Sequence, residues 1–169
     1  IRVTSLLDTT KRTATNLITL RAAAPSIVEF YPDSLTNVQS GQFGQPLLDS
    51  LALVIKDQFG NTVNDTVTVQ WFATSDGTAS PVIRTTDNEG IARSLWTLRT
   101  GASSYDTMYA VIPVTGDSLQ FIANLLPTGE DTLIRVSTLV NSDTVNQTLP
   151  DTFRVLVRDQ FSNPVSNTA

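Results

Sequence analysis

Neither cysteine nor histidine occurs in this 169-residue chain. Without cysteine the fold must hold without a disulfide staple. Without histidine it lacks the usual general base, the usual imidazole metal ligand and the ordinary pH switch near neutrality. Lys and Arg never run beyond two in succession and the net charge is −5. That leaves no basic footprint of the kind phosphate backbones and anionic membranes attract, so nucleic acid is not an expected partner. No stretch approaches the ~20 apolar residues of a membrane helix, so no membrane insertion is expected in this segment. Ile1 opens without a basic n-region or cleavage site, so any secretion signal or anchor is expected outside these residues.

Charged residues make up 16% of the chain and aromatics 7%, the remainder being rich in Thr, Ser, Val, Leu, Asn and Asp. This mixture suits pleated strands joined by polar turns and points to an all-β protein.

The chain also repeats itself. Leu51 to Asn64 reads LALVIKDQFGNTVN and Phe153 to Ser166 reads FRVLVRDQFSNPVS, so Lys56 matches Arg158 at 158 − 56 = 102 residues. The same offset sets Ser40, Gln45, Leu47 and Asp49 against Ser142, Gln147, Leu149 and Asp151. Further back it sets Asn16 to Ser26 against Ser118 to Thr128, pairing Pro25 with Pro127. A period of ~100 residues is too long for a solenoid and fits a string of independent sandwiches. The expected division is a closing hairpin over 1–24, a complete sandwich over 25–126 and the opening of another over 127–169, with both chain ends inside domains.

Alternating apolar residues predict strands at Ile27 to Tyr31, Asn37 to Ser40, Leu51 to Lys56, Thr66 to Ala73, Val82 to Thr85, Ile91 to Leu98, Thr107 to Val114 and Ser118 to Leu125. Their apolar faces nominate a core of Leu51, Leu53 and Ile55, Val67, Val69 and Trp71, Ala92, Trp96 and Leu98, Met108, Ala110 and Ile112, and Leu119, Phe121 and Ala123. The turns are expected at Asp57 to Asn61, around Gly60, and at Asp87 to Gly90. There Asp ahead of Gly supplies an Asx hydrogen bond and a residue at ease with positive φ, so both read as hairpin corners.

Taken in order, GQFGQPL (Gly41 to Leu47), DQFGNTV (Asp57 to Val63), VQW (Val69 to Trp71), TDNEGIA (Thr86 to Ala92), WTL (Trp96 to Leu98) and LQFIA (Leu119 to Ala123) resemble the bacterial immunoglobulin-like repeats of the invasin and intimin type. The second copy departs from that pattern in placing Ser162 where the turn glycine belongs. The resemblance implies an immunoglobulin-like Greek-key β-sandwich in tandem repeats, on the bacterial cell surface or outside the cell, serving as stalk, spacer or filament of an adhesin. It implies no catalysis and carries over no binding residue.

Candidate functional groups are few. Asp57, Asp65, Asp76, Asp87 and Glu89 admit calcium as an alternative, but their spacing matches no D-x-D-x-D-G loop and turn formation explains them better. No cofactor is expected otherwise. Asn64-Asp65-Thr66 and Asn146-Gln147-Thr148 fit the N-glycosylation pattern, which arises readily by chance in so Thr- and Asn-rich a chain. Ser103, Ser104 and Tyr105 lack a base in sequence and read as a solvated loop. Phe59 and Phe161 recur in otherwise polar turns, and the favoured reading is that each plugs the end of its own sandwich, with packing against a neighbouring repeat as the alternative.

The expected function is a structural and adhesive module whose partners are neighbouring repeats and, by strand pairing or side-by-side contact, other copies. An accessory or carbohydrate-binding module of a secreted enzyme, which would need exposed tryptophans, and a phage tail or virion decoration domain are the rivals.

Overall fold

The computed structural model describes residues 2–4, 12–14, 20–32, 38–64, 67–101, 103–137, 145–146, 148 and 152–166. All its regular elements are strands: β1 (Arg2–Thr4), β2 (Arg12–Ala14), β3 (Pro25–Phe30), β4 (Val38–Gln42), β5 (Leu51–Asp57), β6 (Thr68–Ala73), β7 (Thr78–Ser80), β8 (Ile83–Thr85), β9 (Ile91–Thr97), β10 (Tyr105–Ile112), β11 (Asp117–Leu126), β12 (Thr132–Arg135) and β13 (Val155–Arg158). Strands β3 to β11 form an immunoglobulin-like sandwich of two sheets, one ordered β3-β5-β9-β7 and the other β4-β11-β10-β6-β8. Before it lies the antiparallel pair β1-β2, and after it the antiparallel pair β12-β13.

Alternation explains the layering. Side chains two apart on a strand share a face, so each strand offers one apolar face to the opposite sheet. Leu53, Ile55, Val69, Trp71, Trp96, Leu98, Ala110 and Phe121 all lie in the buried cluster between the sheets, as do Leu51, Val67, Ala92, Met108, Ile112 and Ala123. Leu119, nearer the sheet end, is half-buried against it. Trp71 and Trp96 are 1% and 0% exposed. The Trp71 and Phe121 rings lie 5.7 Å apart, and Phe30 meets Phe121 edge-on at 5.0 Å. The edge-to-face contact of Phe30 with Phe121 suits the ring quadrupoles, and the Trp71 ring is tilted 40° to Phe121.

Three features depart from the sequence reading. First, the short strand β7 was not expected, because Thr78, Ala79 and Ser80 carry no apolar alternation; pairing with β9 defines it. Second, β5 is buried on both faces. Ala52 and Val54, on its outward side, form a separate small cluster with Ile91.

Third, the chain changes sheet at every connection from β3 to β10, and β10 to β11 is the one sequential hairpin within the sandwich. The Asp87 to Gly90 turn therefore hands the chain from β8, paired with β6, to β9, paired with β5 and β7. It is a crossing between sheets, not a hairpin corner. The Asp57 turn likewise precedes a crossing, and folds back only through a single bridge between Lys56 and Thr62.

Trp71→Ala should destabilise the sandwich by about 3–5 kcal/mol, the usual cost of truncating a large buried aromatic. Denaturant unfolding measures it, and a loss under about 1 kcal/mol would contradict the packing described.

Candidate functional site

Three turns share one construction, an aspartate that ties down the four residues after it. Asp57 Oδ1 accepts the N–H groups of Phe59 and Asn61, each at 2.9 Å, while Gly60 N–H reaches Asp57 O at 3.0 Å and Asp57 N–H reaches Asn61 O at 2.8 Å. Asp87 does the same with Glu89, Ile91 and Gly90. Asp159 does it with Phe161, Asn163 and Ser162. The fourth residue of each turn needs a positive φ: Gly60 at 83°, Gly90 at 77° and Ser162 at 67°. Ser162 thus keeps the shape of the turn although its Cβ disfavours that conformation. Gly90 is required for a second reason, since a Cβ there would lie 2.9 Å from Thr62 Cβ and 3.1 Å from Ile55 O.

The first and third turns also hold the segment arriving from the preceding sheet. Asp57 Oδ2 accepts Ala23 N–H at 2.9 Å, and Asp159 Oδ2 accepts Thr128 N–H at 3.2 Å. Asn61 and Asn163 complete each cluster by donating side-chain N–H groups to the same carboxylates. These contacts correct the single offset read from the sequence. Asp57 and Asp159 are 102 apart, but the linker residues they hold are 128 − 23 = 105 apart. The strands beside them agree: Ile27 pairs with Lys56 and Thr132 with Arg158, again 132 − 27 = 105 apart. The matched prolines misled, because register here is set by N–H donors, which proline lacks.

The third turn seats its aromatic on the sandwich before it. Phe161 packs against the main core cluster. A Cβ added to Gly44, whose φ is 67°, would fall 2.7 Å from Phe161 Cζ, so the ring lies on bare backbone. Asn163 Nδ2 donates to Thr100 O at 3.4 Å. Asp76 shapes that side of the seat by accepting both the N–H and the hydroxyl of Thr100. Phe59, by contrast, is 74% exposed. The expectation that these rings plug their own sandwich is therefore corrected. Phe161 closes the end of the preceding one, and Phe59 stands out in solvent because the turn projects away from the core that follows it.

The remaining candidates fall apart from this joint. Asp57 and Asp87 spend carboxylate oxygens on N–H donors, and Asp65 lies outside the described residues. Among the described residues no group of three or more acidic, His or Cys side chains could hold a metal ion. Thr66, of the Asn64 glycosylation pattern, and Gln147, of the Asn146 pattern, also lie outside them. Asp106 is buried and accepts N–H groups from Arg99 and Thr107 and the hydroxyl of Ser75, which gives it a structural duty beside the Ser103 to Tyr105 loop.

No family model matches this chain, and no curated protein matches it. Solved structures similar to it include domains 5–6 of the S-layer protein SbsC, at 14% identity and TM-score 0.42, covering 84% of this chain and 66% of that one. Domains 4 and 5 of SbsC match at 14% identity and TM-score 0.41, covering 60% and 52%. WR4, a C. elegans MSP family member, matches at 11% identity and TM-score 0.35, covering 61% and 99%. The chain spans between half and two thirds of the two SbsC chains. Likeness at this level says nothing of what the chain binds.

The carboxylates carry a signature in acid. The Ala23 N–H holds the Asp57 carboxyl down from the ordinary 3.8 to about 2, against the opposing effect of burial and with help from Asn61 and Phe59. Burial pushes Asp159 up, but the N–H groups of Asn163, Thr128 and Phe161 outweigh it and leave that carboxyl lowered. A carboxyl lowered on folding stabilises the native state above its unfolded pKa, and the benefit disappears as pH falls through the folded value. Stability should hold down to the ordinary carboxyl value of 3.8 and then fall toward pH 2, with a shallower fall in Asp57→Asn. Urea unfolding followed by tryptophan fluorescence across that range checks it. Ser162→Gly should relieve about 1 kcal/mol of left-handed strain, read as slower amide exchange at Asn163.

Proposed function

We propose that this chain is a structural module of a repetitive bacterial extracellular protein, with sandwiches joined end to end as the stalk or filament of a cell-surface adhesin. The observation that carries the reading is the joint, in which Phe161 lies on Gly44 while Asp159 holds Thr128 in the connecting segment. A turn that both opens one unit and caps the previous one makes a repeated chain semi-rigid. Apolar burial, a hydrogen bond across the joint and a tethered linker all resist bending together.

The same construction at Asp57 and Ala23 supports tandem repetition, because it prepares an identical capping turn with Phe59 at its tip. The resemblance in sequence to invasin-type repeats supports the bacterial surface setting. The reading assigns no catalysis. A sugar-binding platform built on the tryptophans has no support, since both are core residues.

Small-angle scattering and residual dipolar couplings on the chain test the joint. Phe161→Ser should broaden the range of orientations between the sandwich and β12-β13 while the sandwich unfolds at its original denaturant concentration. Phe59→Ser should leave stability within about 0.5 kcal/mol, as for exposed positions generally. An unchanged distribution of orientations in Phe161→Ser would remove the proposal's main support.

A further inference from the structure

Two turns of one shape meet different surroundings. Asp57 and Asp159 are both buried, each binds two N–H groups of its own turn through Oδ1, and a single bridge closes each turn, Lys56 with Thr62 and Arg158 with Pro164. At the tip the likeness ends. Phe161 is packed on the preceding sandwich and Asn163 is 2% exposed, whereas Phe59 is 74% exposed and Asn61 is exposed beside it. The turns differ in what covers them and not in how they are built. Among the described residues only the second has the end of a sandwich laid against it.

The seat of Phe161 shows what such a turn fits. Gly44 N–H donates to Arg99 O at 2.9 Å, which fixes a backbone of φ 67° with no side chain above it. The ring lies on that backbone, and Asn163 Nδ2 donates to the neighbouring Thr100 O. The 102-residue offset puts Asn146 where Gly44 stands. Asn146 keeps the conformation, with φ at 71°, but adds a side chain. Asn is among the residues with a Cβ that best tolerate this region, so the shape of the turn survives there and the bare surface does not.

We propose that Phe59 and Asn61 form the docking face for the end of another sandwich of this protein, one placed ahead of Ala23 in the chain. That partner carries a left-handed residue without a side chain and a carbonyl open to an amide donor, as Gly44 and Thr100 do. The inference rests on the joint read above, whose occupied form at Phe161 identifies the occupant. Asp57 Oδ2 holds Ala23 N–H, so a unit ahead of Ala23 is delivered to this face by its own linker. Tethering makes the docking intramolecular, and a small contact then forms that two separate chains of net charge −5 would not sustain. A single aromatic set in a fitted pocket is a usual anchor of such a contact.

A chain in which residues 23–127 occur twice in tandem supplies the partner, because Ala23 and Thr128 are the equivalent linker residues. It sets the Gly44 end of the first copy ahead of the Phe59 turn of the second. Dipolar couplings and small-angle scattering should show the two sandwiches sharing one alignment. Phe59→Ser in the second copy should abolish the shared alignment, and in the first copy should leave it unchanged. Gly44→Asn in the first copy should act as second-copy Phe59→Ser does, with each sandwich unfolding at its original denaturant concentration. Sandwiches that tumble independently before any substitution overturn the proposal, as does an alignment indifferent to second-copy Phe59→Ser. In the chain of native length Gly44→Asn should free β12-β13, and a seat that still holds Phe161 overturns the requirement for bare backbone. If Phe161→Ser loosens β12-β13 while second-copy Phe59→Ser moves nothing, the joint stands and docking by Phe59 falls; if neither variant has an effect, both fall.

Discussion

The geometry at both ends of the sandwich depends on a carboxylate shared between a turn and a linker. Asp57 and Asp159 each bind two N–H groups of their own turn through one oxygen and an N–H of the incoming segment through the other. A hydrogen bond to an ionised acceptor is roughly twice as strong as one between neutral groups, and an ionised carboxylate has lone pairs enough for several donors at once. One side chain thereby sets three things together: the shape of the turn, the point where the linker enters, and the direction in which the aromatic at the turn's tip projects. Ser162, standing where the first turn has Gly60, keeps the same positive φ, because the carboxylate over-determines the backbone that a glycine merely eases.

The same anchoring lightens what the other contacts at the joint must supply. The linker residue is already fixed when Phe161 arrives at Gly44, so the ring need not bear the entropic cost of ordering the connection alone. Gly44 gives the ring its seat by having no side chain, and the Asp76 contacts to Thr100 hold the adjacent carbonyl that Asn163 meets. Polar and apolar contacts thus lie within a few residues of one another at the joint.

Much of the sandwich was legible from the chain. Period-two alternation marked the strands bearing Leu53, Val69, Trp71, Trp96 and Phe121, since a strand with one buried face must write that face into its sequence. What alternation does not carry is partnership. Nothing in Ile83-Arg84-Thr85 or Thr78-Ala79-Ser80 says which sheet each will join, and the Asp87 turn looks the same whether it closes a hairpin or crosses between layers. The joint was half legible. The repeated D-Q-F exposed the turn and its ring, but the ring's destination is a glycine distant in sequence, and the three-residue slip in the linker was hidden by a proline that happened to align.

The parallel pairing of β4 with β11 has a consequence for a chain under load. Five residue pairs, from Val38 with Ile122 to Gln42 with Leu126, join a strand near the start of the sandwich to the strand that leaves it. Tension applied between the two ends of the sandwich pulls β4 and β11 past each other along their length. The slanted hydrogen bonds of a parallel ladder then bear that shear together and do not open one at a time from an end. The sheet order that conceals so many crossings in the sequence thus places this ladder most directly in the line of a force applied between the two ends of the sandwich.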